Sequence, residues 1–507
     1  MPDLHRFDPR RHPVAWLLLA SMLALAALWQ LERARQGIET RPLSAGGTPG
    51  TVYLARGREG PAPLVVVAHG FAGSRQLMQA LSFHLARAGY TVVAYDSEGH
   101  GRNPLPMSGD VTAIDGTTRL LVAELRRVID AALALAESDG RVALLGHSMA
   151  SDIVVRAALA DPRVDAVVAV SMFSEAMTAT APERLLMVSG EWEGRLRAVA
   201  LDAARQVEAG AEENETVGAG PVRRRAAVAP GREHLGVLYS ATTLEEITRW
   251  LHDTFAEDRD SAAEPAVRPT GAWILVLLVA IVLAFRPVAG WLPEPLPPPA
   301  EPTARRFLLA VALPALLVPL VAVAGYRPFL PVLVADYLAL HLALYGVLQL
   351  ALLGRSPLAG SRASGRAVAL LLLWGVGLFG LALDRYAASF LPSGERWAVI
   401  AALAPGAVLF LVADAVATDA GHGRLWRRLL ARFALLLSLA LAALLDRERL
   451  GFVLLVLPVV LLFFCVHGLM GRWVAQRAGP LGAGIGLGLA LAWALGVSFP
   501  LFAGSFS

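Results

Sequence analysis

The chain has 507 residues, of which 56% are hydrophobic and only 17% are charged. Soluble domains usually carry about 25% charged residues, so this composition excludes a chain that buries all its apolar side chains in ordinary cores. The net charge is +3 and every basic side chain is arginine. These arginines are dispersed beside apolar runs, which is typical of membrane loops and argues against a nucleic-acid partner. A single cysteine, Cys465, excludes an intrachain disulfide, and no Cys–His pattern indicates a metal site.

The N-terminus predicts a membrane anchor. Three arginines within residues 1–12 precede an apolar run over residues 13–31, which is about the length that a helix needs to cross a bilayer. A cleaved signal peptide is the rival interpretation, because Ala24 and Ala26 resemble a cleavage site. The apolar run continues beyond both alanines, so an uncleaved anchor is favoured, with residues 1–12 in the cytoplasm.

Residues 40–256 have mixed polarity and predict an α/β domain. Short apolar β-rich runs alternate with helical patterns, as in a mostly parallel, doubly wound sheet with helices on both faces. The predicted strands are Leu64–Ala68, Thr91–Tyr95, Arg141–Leu145, Val164–Val170, Leu185–Val188 and Arg224–Val228. The predicted helices are Arg75–Ala88, Thr117–Ala136, Arg195–Glu208 and Leu244–His252. The acidic, glycine-rich stretch Ala209–Pro221 is predicted to be a surface loop.

A polar linker over residues 257–271 leads to a membrane region over residues 272–503. This region contains eight apolar stretches, each long enough to cross a bilayer as a helix. They are Ala272–Trp291, Phe307–Tyr326, Phe329–Leu353, Ala367–Leu383, Trp397–Ala417, Leu429–Leu445, Phe452–Leu469 and Leu481–Phe502. The predicted fold is therefore an α/β domain fused to an all-α, multi-pass transmembrane bundle.

Arginines in alternate connections predict the orientation of these spans. The connections that contain Arg305, Arg355, Arg424 and Arg472 share a side with the basic N-terminus, and the other connections are poorer in arginine. Positively charged loops remain in the cytoplasm. The α/β domain is therefore expected on the extracytoplasmic side of a cell membrane, such as a bacterial inner membrane.

Gly146-His147-Ser148-Met149-Ala150 lies between a predicted strand and a helical run. A sharp strand-to-helix turn exposes its central serine above the sheet, and small residues at both ends relieve the crowding. The pattern for such a turn is Gly-x-Ser-x-Gly, so Ala150 is a minor departure. This context indicates that Ser148 is a nucleophile.

His69-Gly70-Phe71-Ala72-Gly73 follows another predicted strand. An oxyanion formed on attack by Ser148 needs two backbone N–H donors, and the residue after the nucleophile, Met149, supplies one. The loop supplies the second, and Phe71 is the favoured residue. Two glycines would let this backbone approach a substrate closely.

These motifs resemble those of the α/β-hydrolase superfamily over about residues 50–255. Three motifs occur in the order found in that family: the His69–Gly73 loop, the Tyr95–Gly101 segment and the turn at Ser148. Within the second motif, Asp96 and Gly99-His100-Gly101 are similar to the corresponding segment of its esterase, lipase and peptidase branches. The resemblance implies a parallel-sheet fold and serine hydrolase chemistry without a cofactor. The membrane region resembles no family that we recognise.

The resemblance also implies the partners of the serine, since the family order is serine, acid, histidine. The histidine is expected at His234, on a loop after the last predicted strand. The family places its acid three residues after a glycine, here Gly190, which selects Glu193. Glu191 and Glu175 remain alternative acids, and either carboxylate type can orient the imidazole.

Three functions are consistent with these residues. The favoured one is a membrane-integrated hydrolase that cleaves an ester or related acyl bond of a small-molecule or lipid substrate, with membrane lipids as neighbours. An acyltransferase would use the same residues with a lipid or glycan acceptor. A transporter or sensor would use the domain only to bind a ligand. The oligomeric state cannot be derived from the sequence.

Two further features bear on the substrate. The stretch Ser171–Arg184 is too short for a cap domain, so the pocket is expected to be shallow, open or covered by the membrane region. Met172, Phe173 and Met177 are candidates for an acyl site or for core packing. Within the membrane region, Asp336 and His341 form a candidate polar site, with hydrogen bonding between helices as the alternative.

Overall fold

The computed structural model describes residues 12–109, 114–256, 266–293, 302–354, 358 and 363–503. Most of residues 1–12, which the sequence predicts to be cytoplasmic, and most of the predicted linker lie outside these ranges.

A nine-stranded sheet forms the centre of the α/β domain, and five consecutive neighbour pairs in it are parallel. The strands are β1 (Ile38–Ala45), β2 (Thr48–Ala55), β3 (Ala62–Ala68), β4 (Thr91–Tyr95), β6 (Ser138–His147), β7 (Val164–Val170), β8 (Arg184–Gly190), β9 (Thr216–Ala219) and β10 (Val222–Ala229), and a short β5 (Met107–Ser108) lies outside this sheet. Their order is β1-β2-β4-β3-β6-β7-β8-β10-β9. The pairs from β4 to β10 are parallel, and only the edges are antiparallel. The expected α/β-hydrolase-like fold with a mostly parallel sheet is confirmed.

Helices cover both faces of this sheet. They are α2 (Gln79–Arg87), α3 (Arg119–Leu133), α4 (Met149–Ala160), α5 (Gly194–Arg205) and α6 (Ala241–Phe255). One core layer contains apolar side chains of α3, α4 and α5, and the other contains those of α2 and α6. The central strands are buried on both faces, which explains their unbroken apolar sequences.

The edges of the sheet differ from the prediction. The hairpin β1–β2 was not predicted, because an edge strand with one solvated face mixes polar and apolar residues. The stretch Ala209–Pro221 was predicted to be a loop, but it contains β9, which pairs with β10. Gly218 inside this short edge strand and Gly220 after it hide its β character.

Within the described ranges, eight helices are long and apolar enough to cross a membrane. They are α1 (Pro13–Arg35), α7 (Thr270–Ala289), α8 (Ala304–Gly325), α9 (Ala335–Leu353), α10 (Gly365–Tyr386), α11 (Arg396–Ala417), α12 (Leu425–Leu445) and α13 (Val453–Ser498). Helix α10 contains a π-helical segment at Leu373–Leu378. The apolar stretches predicted for the membrane region correspond to α7 through α13.

Helix α13 accounts for two of the predicted stretches, because it is broken at Gly479. This glycine has φ of 77°, a left-handed conformation, and Pro480 follows it. A side chain at Gly471 would contact Leu487, 16 positions later in the sequence. A straight helix would separate them by about 24 Å, so the chain reverses and the two halves pack as an antiparallel pair.

One end of the bundle contacts the α/β domain. Arg396, at the start of α11, donates to the Gly99 carbonyl at 2.9 Å, and Arg102 pairs with Asp384 at 2.5 Å. The last described strand, β11 (Phe502–Ala503), pairs with β5. The bundle therefore packs against loops that leave the carboxyl ends of the parallel strands.

The other end of the bundle contains the arginine-rich connections. Pro13, at the start of α1, lines a cavity with Arg286 and Arg477. Arg427 donates to the Pro302 carbonyl at 3.1 Å, and Arg306 donates to the Leu352 carbonyl at 2.9 Å. Arg306, Arg427 and Arg477, in the connections that suggested an orientation, thus lie at the N-terminal end of α1, away from the α/β domain.

Candidate active site

Ser148 lies on the turn between β6 and α4. Its backbone has φ of 55° and ψ of −121°, in the left-handed half of conformational space. A side chain at Gly146 would place its Cβ 2.3 Å from the Ala150 carbonyl oxygen. Glycine is therefore required at position 146, two residues before the serine, whereas the small side chain of Ala150, two residues after it, is accommodated. This turn holds the serine hydroxyl outside the helix and above the sheet.

His234 lies on the loop after β10, and its Nε2 is 2.9 Å from Ser148 Oγ. Its Nδ1 is 2.6 Å from Glu193 Oε1. A carboxylate can only accept, so Nδ1 carries the proton and Nε2 is left to accept the serine hydroxyl. The imidazole is therefore oriented as a general base for Ser148.

Glu193 follows β8, and its side chain is only 6% exposed. Its Oε2 accepts the Gly190 N–H at 2.7 Å and the Ser171 hydroxyl at 2.8 Å. Burial raises the pKa of this carboxyl, but the hydrogen bonds from His234, Gly190 and Ser171 outweigh burial and lower the pKa below 4.5. Glu193 is thus held as a carboxylate beside the imidazole.

The alternative acids lie elsewhere. Glu191 Oε2 accepts the Gly231 N–H at 2.7 Å, so it supports the loop before His234 and does not contact the imidazole. Glu175 is exposed to solvent. Of the three carboxylates considered from the sequence, the structure brings Glu193 to His234.

The two candidate oxyanion donors lie on either side of Ser148. Met149 is the first residue of α4, so its N–H belongs to the first turn, which lacks intrahelical acceptors. Phe71 lies in a turn closed by a hydrogen bond from the Gly73 N–H to the Gly70 carbonyl at 3.0 Å. A Cβ at Gly70 would lie 2.9 Å from the Ser148 Cβ, so this turn lies against Ser148.

Two contacts of this site were not predicted from the sequence. The buried His147 has its Nε2 2.9 Å from the His234 carbonyl oxygen, which fixes Nε2 as the donor. Burial lowers the pKa of His147 to about 4, so this donor is neutral at pH 7. Ser171, at the end of β7, supports Glu193. Both were missed because they act through residues distant in sequence.

A buried network connects the loops after β3 and β4. The Ser97 N–H donates to His69 Nε2 at 3.1 Å, so the Nδ1–H of His69 donates to the Gly70 carbonyl. The Asp96 carboxylate accepts the N–H groups of Arg75 and Arg102 at 2.8 and 3.1 Å. The shape of the turn that carries Phe71 thus depends on the Tyr95–Gly101 segment.

Side chains of the membrane region cover part of this site. The rings of Phe452 and Phe71 are 5.7 Å apart. Leu333 packs against the core layer that also contacts Phe71, Met149 and Met177. The bundle therefore supplies apolar groups where a cap domain would lie in a longer chain.

The other candidates for an acyl site separate into two groups. Met172 is fully buried in the core, and Met177 is partly buried against it. Phe173 is 45% exposed, and Trp192 and Leu235 on neighbouring loops are also exposed. These three apolar side chains project from the edge of the sheet that contains Ser148.

The polar residues of the membrane region do not form the site considered from the sequence. Asp336 accepts the Phe329 N–H at 3.0 Å. His341 lies between the Tyr337 hydroxyl at 2.8 Å and the Ser438 hydroxyl at 3.2 Å. Hydrogen bonding within the bundle therefore explains both residues. Within the described ranges, no three His, Cys, Asp or Glu side chains are grouped as a metal site would require.

Residues 59–209 match the model of a family described as serine aminopeptidase, S33. The match includes the Phe71 turn, Ser148 and Glu193, and it ends before His234. The resemblance of this part of the chain to the α/β-hydrolase superfamily is therefore confirmed. No curated protein matches the chain.

Several solved structures of hydrolases are similar over less than half of this chain. One from Thermoplasma acidophilum, titled a predicted CIB-like hydrolase, is 18% identical, covers 43% of this chain and 97% of its own, and has a TM-score of 0.33. A dienelactone hydrolase from Anabaena variabilis is 18% identical, covering 44% and 98%, with a TM-score of 0.32. An epoxide hydrolase from Vigna radiata is 14% identical, covering 44% and 99%, with a TM-score of 0.31.

Proposed function

We propose that this chain is a membrane-integrated serine hydrolase that cleaves an ester or a related acyl bond. The family match over residues 59–209 supports a serine-hydrolase-like function. The observation that carries the finer proposal is the continuous series of hydrogen bonds from Glu193 through His234 to Ser148, with distances of 2.6 and 2.9 Å. A domain that only bound a ligand would have no need of this arrangement.

The geometry supports a two-step reaction. His234 Nε2 takes the proton from Ser148 Oγ as the oxygen attacks the acyl carbonyl, and the N–H groups of Met149 and Phe71 stabilise the resulting oxyanion. His234 then gives this proton to the leaving group, which departs and leaves an ester on Ser148. Water, activated by the same imidazole, hydrolyses that ester and releases the acid.

Glu193 acts on the imidazole in both steps. It fixes the tautomer with the proton on Nδ1 and compensates the positive charge that His234 gains when Nε2 is protonated. Its own hydrogen bonds from Gly190 and Ser171 hold the carboxylate in place. Removal of this group should slow acylation and deacylation alike.

The arginine distribution supports an extracytoplasmic position for the hydrolase domain. Arginine-rich connections lie at the end of the bundle away from this domain. Under the positive-inside rule that end is cytoplasmic. Ser148 would then act at the outer surface of the membrane, where substrates arrive from outside the cell or from the bilayer.

Hydrolysis of 4-nitrophenyl butanoate by the purified full-length protein tests this function. We expect the wild type to hydrolyse the ester, Ser148→Ala to lose at least 10³-fold in kcat, and Ser44→Ala on the exposed edge strand β1 to match the wild type. Aminoacyl amides and alcohol acceptors, assayed in parallel, distinguish a peptidase and an acyltransferase from an esterase. Equal activity of Ser148→Ala and wild type would exclude the proposed nucleophile.

A further inference from the structure

A cavity of about 600 Å³ lies between the hydrolase domain and the membrane bundle. Helix α7 and the first half of α13 form its long walls, and the Ala72–Ser74 turn and His100-Gly101 of the hydrolase domain close one end. Its lining is almost wholly apolar side chains such as Leu278, Val282 and Val466. The cavity is therefore suited to a hydrocarbon group.

The dimensions of the cavity correspond to one leaflet of a bilayer. Its lining runs from Leu275 to Leu283 on α7 and from Val459 to Leu469 on α13, which is about 12 Å and about 15 Å at 1.5 Å per residue. The hydrocarbon core of a bilayer is about 30 Å thick. An extended chain in this cavity would thus occupy the leaflet next to the hydrolase domain.

The cavity is open on the side that would face lipid. Leu275 on α7 and Leu462 on α13 line it and are 65% and 64% exposed. Both belong to helices long and apolar enough to cross a membrane. A lipid chain could therefore enter sideways from the bilayer without passing through water.

The end near the hydrolase domain is polar. Arg396, which is 2% exposed, donates to the carbonyl oxygens of Gly496, Phe499 and Gly99, so carbonyl dipoles hold its guanidinium, with the Asp96 carboxylate as a nearby opposite charge. His100 Nδ1 donates to the Glu98 carbonyl, which leaves Nε2 as a buried acceptor without a partner in the described structure. The cation suits the oxygen atoms of a lipid head, and the vacant acceptor suits a hydroxyl or other donor on that head.

This polar end adjoins the loop that carries the candidate oxyanion donor. Ala72 and Gly73 line the cavity, and Gly70, at the start of the same turn, touches Ser148. The rings of His100 and Phe71 are 5.8 Å apart. A single tight turn therefore separates the polar end of the cavity from the nucleophile.

We propose that this cavity binds the hydrocarbon chain of a membrane lipid and directs its ester end to Ser148, so that the substrate class is a long-chain acyl lipid taken from the bilayer. This inference rests on the proposed hydrolase function for its substrate role. The apolar walls, the opening to lipid and the charged end near the catalytic loop together define the occupant as an amphiphile with one chain in the cavity.

Chain-length selectivity tests this assignment. The protein is assayed in lipid nanodiscs, and the measured quantity is kcat/KM for 4-nitrophenyl hexadecanoate divided by kcat/KM for 4-nitrophenyl butanoate. Val282→Trp and Val466→Trp, which fill the cavity from opposite walls, should each lower this ratio at least 10-fold. Leu320→Trp, on the exposed face of α8 away from the cavity, should leave the ratio unchanged. An unchanged ratio in both cavity variants would overturn the proposal.

Crosslinking of the wild type gives a readout that does not depend on hydrolysis or on the folding of a variant. Phosphatidylcholine with a diazirine near the end of one chain should crosslink preferentially to residues 275–283 and 459–469. Crosslinking spread evenly over the exposed faces, α8 included, would overturn the cavity assignment. Preferential crosslinking in a protein that hydrolyses neither ester would retain lipid binding and reject the proposed function.

Discussion

In the proposed mechanism, the reactivity of Ser148 depends on the contact between Glu193 and His234. Glu193→Gln keeps the size of the side chain but removes the charge, and its amide can present a donor to Nδ1 and favour the wrong tautomer. We expect kcat for ester hydrolysis to fall on the order of 10⁴-fold. Glu191→Gln is the matched control, because this carboxylate supports only Gly231, and its kcat should stay within a few-fold of wild type. A larger loss of kcat in Glu191→Gln than in Glu193→Gln would identify Glu191 as the acid.

The sequence was sufficient to select Ser148, His234 and Glu193, because each follows a predicted strand and their order along the chain is that of the family. The structure connects these three side chains by hydrogen bonds. Ser171 and His147 could not be assigned roles in this way. Their roles depend on the packing of β7 beside β8 and of the His234 loop over β6, which no local pattern encodes.

At the scale of elements, the loops at the carboxyl edge of the sheet contain three buried histidines: His69, His100 and His147. Burial lowers the pKa of each, to about 3 for His100 and about 4 for His147. The folded-state pKa of each histidine lies below the ordinary value of about 6.5. Above pH 6.5 these histidines are neutral in the folded and the unfolded chain, so they do not reduce the free energy of unfolding. The free energy of unfolding decreases as the pH falls from 6.5 toward 4, because the unfolded chain then binds protons on these imidazoles while the folded chain keeps them neutral.

The melting temperature of the full-length protein should therefore fall between pH 6.5 and pH 4. His147→Gln, which retains a donor toward the His234 carbonyl, should make the decrease in melting temperature between pH 6.5 and pH 4 smaller. A melting temperature that is constant or rises over this pH range would contradict the neutral, buried state of these histidines.

The contact between Phe452 and Phe71 connects two elements, the start of α13 and the turn after β3. Aromatic pairs contribute about 0.5–1.5 kcal/mol beyond area burial, and here the contact supports the turn that carries the proposed oxyanion donor, Phe71. Phe452→Ala should lower kcat/KM for ester hydrolysis between about 2- and 10-fold. Phe433→Ala, on the exposed face of α12, should have no effect. Equal effects of both substitutions would show that the contact has no role at the site.

The central strands and the long apolar helices could be predicted because unbroken apolar runs indicate side chains that avoid water on all sides. The edge hairpin β1–β2 and strand β9 could not, because half-solvated strands near glycines lack that signal. The break at Gly479 was visible as a gap between two apolar stretches, and Gly479-Pro480 provides its physical cause.

For the whole molecule, the sequence predicted a hydrolase domain and a bundle but not which face of the domain meets the bundle. The structure places the carboxyl edge of the sheet, with Ser148, toward the helix ends, through Gly99, Arg102 and Phe71. This relative position follows from contacts between residues hundreds of positions apart, such as Arg102 with Asp384. It gives the membrane bundle the place of a cap over the candidate site.

Reporter fusions test the proposed membrane topology of the whole chain. Alkaline phosphatase fused after residue 256 or after Tyr326 should be active, because those points lie at the end of the bundle near the hydrolase domain. A fusion after Pro293 should be inactive, since that connection lies near the arginine-rich end. The opposite pattern would place the hydrolase domain in the cytoplasm and reverse the proposed orientation.

The proposed function requires that Ser148 is an activated nucleophile in the folded full-length protein. Reaction of this protein with a fluorophosphonate, followed by mass spectrometry of the modified peptide, tests that claim. We predict a single phosphonylated residue at Ser148 in the wild type and none in Ser148→Ala. A folded wild type that is not modified, or that is modified at another residue, would contradict the claim.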